Sequence, residues 1–129
     1  MSHERRIEPR LVVPMRVRYK VHHSKGRRTE IIETMSQNIG LGGLMLLAHQ
    51  RLEEGTPVDL EIYMQPSDKV PVQAEGLVSW QSQRSLSGGQ GRFDTGIRFR
   101  FMSLSDKSRF LDFTFRNQDR LIGLKRKKF

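Results

Sequence analysis

The sequence has no cysteine, a single tryptophan and no long apolar run. Without cysteine the chain can form neither disulfides nor thiolate metal sites, and a cysteine nucleophile is excluded. No apolar segment approaches the roughly 20 residues needed to cross a bilayer. The N-terminal stretch MSHERRIEPR also lacks the apolar core of an export signal. We therefore expect a cytoplasmic protein without membrane insertion.

The sequence also lacks the motifs on which many enzymes depend. It contains no G-x-S-x-G nucleophile elbow, no H-E-x-x-H metal motif and no G-x-x-x-x-G-K-[ST] phosphate loop. The histidines are scattered along the chain without matching carboxylates, at His3, His22, His23 and His49. We expect a protein that is not an enzyme, with no metal and no cofactor.

Basic residues are abundant. The 129 residues, enough for one domain, carry 23 Lys and Arg against 14 Asp and Glu, a formal net charge of +9. Such a chain attracts anionic partners. The excess lies in an N-terminal stretch that begins at Arg5 and in the terminal run Lys125 to Lys128. For the terminal run, a solvated surface and a contact with nucleic acid remain alternatives.

The order of polar and apolar residues divides the chain into three parts. Residues 1–10 are predicted to form a flexible arginine-rich arm, residues 11–123 the folded domain and residues 124–129 a basic tail. Within the domain, apolar residues alternate with polar ones in about six segments separated by turn residues, near positions 13–21, 29–35, 44–48, 58–64, 70–80 and 93–101. This pattern predicts an all-β fold, an antiparallel barrel or sandwich.

One helix is predicted after the last strand. Ser103-x-x-Asp106 has the form of an N-terminal capping motif. Beyond it, apolar residues recur at helical spacing and form a broad stripe that should pack on the barrel: Phe110, Leu111, Phe113, Phe115, Leu121 and Ile122.

Two short segments carry groups suited to an anionic nucleotide. The first holds Arg5, Arg6 and Arg10 immediately before the first strand. Guanidinium groups bind phosphate through paired N–H donors and stack on purine rings. The second runs from Asn38 to Gly43 at a predicted turn, where an amide can meet a base edge and glycines permit close approach of a ligand.

Together these segments resemble the PilZ family, whose pattern is R-x-x-x-R followed by [DN]-x-S-x-x-G. Arg6 and Arg10 match the first motif, with Arg5 as an additional arginine, and Asn38 and Gly43 match the ends of the second. The strand that ends in Trp80, the segment Gly96-Ile97-Arg98-Phe99 and the helix from Ser103 extend the resemblance over roughly residues 4 to 116.

The resemblance implies a six-stranded antiparallel β-barrel with a C-terminal α-helix that binds the bacterial second messenger cyclic di-GMP. By position, the arm arginines would hold phosphates and guanine faces, and Asn38 and Gly43 would contact the base side. Trp80 is either a ligand-stacking residue or a core residue. Gly40 stands where the family has serine, which removes one hydroxyl contact with the ligand.

Three functions follow from these observations. The first is a cyclic di-GMP receptor that signals ligand occupancy to an effector protein through ordering of its arm. The second, favoured by Gly40, is a PilZ-like interaction module that has lost the ligand. The third, favoured by the net charge, is a nucleic-acid binder, although the basic strands carry no interleaved aromatic residues.

Overall fold

The computed structural model describes residues 10–11, 14–22, 30–83, 91–117 and 121–122. Along the chain the elements are β1 (Arg10–Leu11), β2 (Met15–Val21), β3 (Ile31–Gly40), β4 (Gly43–Ala48), β5 (Pro57–Tyr63), β6 (Val72–Gln83), β7 (Phe93–Met102), α1 (Leu104–Arg116) and β8 (Leu121–Ile122). The predicted arm before residue 10, most of the loop after His22, the glycine-rich stretch 84–90 and the basic tail lie outside the described residues.

Six strands form a closed antiparallel barrel. Their order is β2-β5-β6-β7-β4-β3, and the pairing of β3 with β2 closes the ring. The two-residue strands β1 and β8 extend the sheet beyond β3. The prediction of a six-stranded antiparallel barrel with one C-terminal helix is therefore confirmed. No helix in the described part of the chain is long and apolar enough to cross a membrane.

The barrel interior is filled by the alternate apolar residues that the sequence pattern indicated. Strand β2, for example, buries Met15, Val17, Tyr19 and Val21 and directs the basic residues between them outward. Each fully buried aliphatic or aromatic side chain contributes about 1.5–3 kcal/mol to folding. Other strands supply the remaining barrel core, including Leu44, Leu46, Val58, Leu60, Ile62, Val72, Val78 and Ile97.

A polar network lies at one end of this core. The Tyr19 hydroxyl donates to Gln50 Oε1 and accepts from the His49 backbone N–H at 3.0 Å. Gln81 Nε2 donates to the Gln50 carbonyl at 3.0 Å and to Thr95 Oγ1 at 3.1 Å. Because buried polar groups need partners, these bonds fix how the loop after β4 meets β6 and β7.

Two β-bulges change the alternation of the sheet. In β3 the register with β4 shifts between Ser36 and Asn38, and in β6 the register with β7 shifts between Val78 and Trp80. A bulge inserts one residue on one strand, so side chains two positions apart no longer share a face. Ser36 and Val78 therefore lie inside the barrel, while Asn38 and Trp80 lie on its outer surface.

Helix α1 begins and packs on the barrel as predicted, but it ends earlier than predicted. Ser103 caps the helix by accepting the Asp106 N–H at 3.2 Å. Phe110 is buried, with its ring edge-on to Phe99 at a centroid distance of 5.8 Å. Phe113 is half-buried against the same core.

The prediction that the apolar stripe continues along the helix to Leu121 and Ile122 is wrong. The helix ends at Arg116, because Asn117 donates its backbone N–H to the carbonyls of Phe113 and Thr114 and its side-chain amide to Phe113. Leu121 and Ile122 instead form β8, which pairs with β1. These two apolar residues therefore belong to a strand and not to the helix.

Candidate ligand-binding site

An open depression of about 580 Å³ lies on the outer surface of the barrel. It crosses four neighbouring strands in the order β3, β4, β7 and β6. Its described lining has no carboxylate and consists of Asn38, Gly42, Gly43, Leu44, Met45, Ser79, Trp80, Gly96, Ile97 and Arg98. The described residues of the depression therefore combine polar, apolar and cationic groups.

Strand pairing sets the centre of this depression. Asn38 pairs with Met45, Met45 with Gly96, and Gly96 with Trp80, so these residues form one row across the four strands. Neighbouring strands are about 4.8 Å apart, so the backbones of Asn38 and Trp80 lie about 14 Å apart along the sheet. An amide projects from one end of the row and an indole from the other. The two bulges bring both end residues to the outer face. Asn38 and Trp80, far apart in sequence, thus line the same depression.

Trp80 lies on the surface and not in the core. It is 46% exposed, although the preceding alternate residues of β6 are buried. A Cβ on Gly96 would fall 2.1 Å from the indole Nε1, so the indole rests directly on this glycine. Part of the ring system remains open to solvent above the sheet. The structure thus provides an aromatic surface against which a planar base can stack.

The glycines of the second motif have different structural roles. A Cβ on Gly43 would fall 2.1 Å from the Ile97 carbonyl oxygen, so close approach of β4 to β7 requires glycine there. Gly40 lies at the end of β3, within a strand and not in the predicted turn. Among the described glycines, positive φ occurs at Gly55 and Gly91. The turn itself is confined to Leu41 and Gly42.

The arginine-rich segment reaches the site through one residue whose backbone is described. Arg10 pairs with Gly40 in β3, next to the row that holds Asn38. The sequence assigned Arg10 to the arm, whereas its backbone lies in β1. Arg5 and Arg6 fall outside the described residues.

Arg98 lines the depression but was not among the residues that the sequence predicted for a site. It pairs with Gly43, lines the depression and, within the described part of the chain, has no carboxylate partner. The sequence contained a signal for it, because Gly96 and Arg98 are alternate residues of one strand and so share a face. The sequence interpretation treated Gly96 to Phe99 only as a strand motif.

Two arginines on the opposite side of the barrel form ion pairs with acids of the neighbouring strands. Arg16 lies 3.7 Å from Glu33 and stacks on Tyr63 with its guanidinium carbon 3.9 Å from the ring centroid. Arg18 lies 3.3 Å from Glu61. The pKa of Arg18 is raised above its ordinary value, chiefly by a hydrogen bond to Tyr63 and next by the negative charge of Glu61. This face therefore attracts a polyanion less than its arginines alone suggest.

A second depression, of about 490 Å³, lies over β2, β5 and β6 and is less suited to an anion. Its lining includes two bases, Arg18 and Lys20, and four acids, Asp59, Glu61, Glu75 and Asp106. The described residues contain no group of three or more His, Asp or Glu side chains that could hold a metal ion. On electrostatic grounds, the depression that contains Arg98 and Trp80 is the better anion site.

Comparison with known structures identifies the fold. The inhibitor of motility MotI/DgrA from Bacillus subtilis is 18% identical, with a TM-score of 0.66, over 96% of this chain and 55% of that protein. The PilZ domain of YcgR from Escherichia coli, solved with c-di-GMP, is 16% identical with a TM-score of 0.64 over 90% of this chain and 93% of that domain. This chain thus spans about half the length of MotI/DgrA.

A third similar structure is the MrkH–c-di-GMP complex of K. pneumonia, 17% identical with a TM-score of 0.62 over 91% of this chain and 56% of that protein. None of the curated proteins matches the sequence. The family model of the PilZ domain matches residues 4–116, most of the chain and the entire barrel with its helix. The chain belongs to the PilZ domain family.

Proposed function

We propose that this protein is a cyclic di-GMP receptor and that the depression on β3, β4, β7 and β6 is its binding site. The observation that carries the proposal is the row from Asn38 to Trp80, which places a base-edge partner and a stacking surface in one depression whose described lining has no carboxylate. Arg98 adds a guanidinium beside Gly43. The ligand supplies the complementary features, two guanines and two negatively charged phosphates.

Each residue has a definite role in this proposal. Arg5, Arg6 and Arg10 hold the phosphates and cover the guanine faces. Asn38 meets a base edge and Trp80 stacks on a guanine. Gly43 permits the close strand packing that forms the floor. The protein acts by binding and not by catalysis, and its signal passes to an effector protein through ordering of the arm.

The decisive measurement is a calorimetric titration of the parent and two variants with cyclic di-GMP, with GMP and a short DNA duplex as control ligands. Arg10→Ala should remove a charge-assisted contact worth about 1.5–3 kcal/mol and weaken binding about 10- to 150-fold. Arg10→Lys should be nearly as weak, because lysine keeps the charge but loses the paired donors and the flat stacking face. Both substitutions keep the backbone N–H of β1.

Absence of binding by the parent at high micromolar protein would contradict the receptor function and leave the interaction-module alternative, which Gly40 favours. If the parent does bind, Gly40→Ser restores the family residue and should strengthen binding. A gain of up to about tenfold in affinity would match one recovered neutral hydrogen bond of about 0.5–1.5 kcal/mol. Tighter binding of the duplex than of cyclic di-GMP would favour the nucleic-acid alternative.

A further inference from the structure

The two ends of the described chain meet beside the proposed ligand site. Strand β1 lies between β3 and β8: Arg10 pairs with Gly40 on one side and with Ile122 on the other. Leu11 pairs likewise with Ile39 and Leu121. Among the described residues, β1 is the only strand with which β8 pairs. The C-terminal strand is thus joined to the barrel through the residue that completes the arginine motif.

These short ladders have a physical consequence. In an antiparallel strand, the backbone groups of successive residues point to opposite edges, so one residue of β1 bonds to β3 and the other to β8. A ladder of two residues gains few hydrogen bonds against the entropy lost when the chain is fixed. Each ladder is therefore marginal alone. Docking β8 lowers the cost of ordering β1, and ordering β1 lowers the cost of docking β8.

We propose that β1 and β8 form one cooperative unit, so that a ligand bound by Arg10 stabilises the C-terminal strand and β8 in turn raises the affinity for the ligand. This inference rests on the proposed function, since it takes Arg10 as a ligand contact. By thermodynamic reciprocity, the factor by which docked β8 improves affinity equals the factor by which ligand favours docking of β8. Ligand occupancy is thereby transmitted to the C-terminal segment.

The test uses full-length proteins with paired proline substitutions. Leu121→Pro combined with Ile122→Pro removes both backbone donors of β8. The matched control, Gly123→Pro combined with Leu124→Pro, places the same residues just beyond the strand. The β8 variant should bind cyclic di-GMP about 5- to 30-fold more weakly, because a smaller fraction of the protein has β1 in place. The control should remain within about twofold of the parent.

Hydrogen exchange of the unmodified parent provides the reciprocal measurement. Saturating cyclic di-GMP should slow exchange of the β8 amide that bonds to β1 by about the same factor as docked β8 improves the affinity. Equal affinities in the parent and the β8 variant, or exchange at β8 that ligand does not change, would overturn the coupling.

The proposed function and the cooperative unit can fail separately. If the parent does not bind the ligand, the receptor function fails. The unit still predicts that, without ligand, the β1 amide that bonds to β3 exchanges faster in the β8 variant than in the control. Unchanged exchange there would refute the cooperative unit itself.

Discussion

At the scale of single residues, Arg98 and Arg100 form a matched pair. They are alternate residues of β7, but Arg98 lines the anion-compatible depression whereas Arg100 lies 3.1 Å from Glu75. Arg98→Ala should weaken cyclic di-GMP binding about 10- to 150-fold through loss of a charge-assisted contact. Arg100→Ala should leave affinity within about twofold, because it removes the same charge from the same strand outside the site. Equal losses in the two titrations would indicate a general electrostatic effect.

The phenol of Tyr19 makes the stability of the fold depend on pH. Burial raises the pKa of its phenol above the ordinary value of 10.0, although the hydrogen bond from the His49 backbone opposes this shift. Because the pKa of Tyr19 is higher in the folded than in the unfolded protein, its protonated phenol stabilises the fold below pH 10. This contribution to the unfolding free energy is lost as the pH rises towards the folded pKa.

Tyr19→Phe removes the hydroxyl and leaves Gln50 Oε1 and the His49 N–H without this partner. It should lower the free energy of unfolding by about 1–3 kcal/mol near neutral pH. Urea unfolding at several pH values should show the gap between parent and variant narrowing above about pH 10. A gap that widens with pH would contradict the assignment.

Single residues also show where sequence periodicity stops being informative. Strict alternation along β6 places Trp80 on the same face as Val72, Ala74 and Val78, which are buried. The bulge after Val78 turns the indole outward. Bulges depend on how two strands pair, and the sequence of one strand does not reveal this. The sequence therefore left core and ligand roles for Trp80 as alternatives. Alternation along β7 placed Arg98 on the face of Gly96, but only the pairing of β7 with β6 places both near Trp80.

At the scale of elements, helix α1 is attached to the barrel through two phenylalanines of unequal burial. Phe110 is 2% exposed and packs on Phe99, whereas Phe113 is only half-buried. Phe110→Ala should therefore cost about 3–5 kcal/mol, a large part of the stability of a small domain. Phe113→Ala should cost clearly less. Chemical denaturation of both variants checks the order, and a greater loss at Phe113 would contradict this packing.

The elements that the sequence predicted well are those with long, regular patterns. Six alternating segments gave the six barrel strands, and Ser103 marked the start of the helix. The end of the helix and strand β8 were not predictable in this way. Two apolar residues at Leu121 and Ile122 fit a helical stripe and a short strand equally well. Only their pairing with β1, more than 100 positions earlier, distinguishes the two structures.

At the scale of the whole molecule, the net charge of +9 is unevenly compensated. Arg16 and Arg18 face acids on adjacent strands, whereas Arg98 faces the depression. Replacing Arg16 and Arg18 together by Ala should leave cyclic di-GMP affinity within about twofold despite the loss of two charges, because screened charges act over only about 8–10 Å.

The same double variant should lose little unfolding free energy, because exposed ion pairs contribute little to stability. Titration and thermal unfolding of this variant, compared with Arg98→Ala, separate position from total charge. A loss of affinity as large as that of Arg98→Ala would show that the net charge of the barrel, and not the local site, governs binding.

The pairing of Arg10 with Ile122 also bears on how the chain can be reconnected. Paired Cα atoms in neighbouring antiparallel strands lie about 4.5–5.5 Å apart, so a short linker can join the two ends of the barrel without distorting it. A circular permutant that closes this gap and opens at the exposed turn of Glu54 and Gly55 keeps every strand pair of the barrel. Its new ends lie in the turn between β4 and β5, and the closed junction lies beside the proposed ligand site.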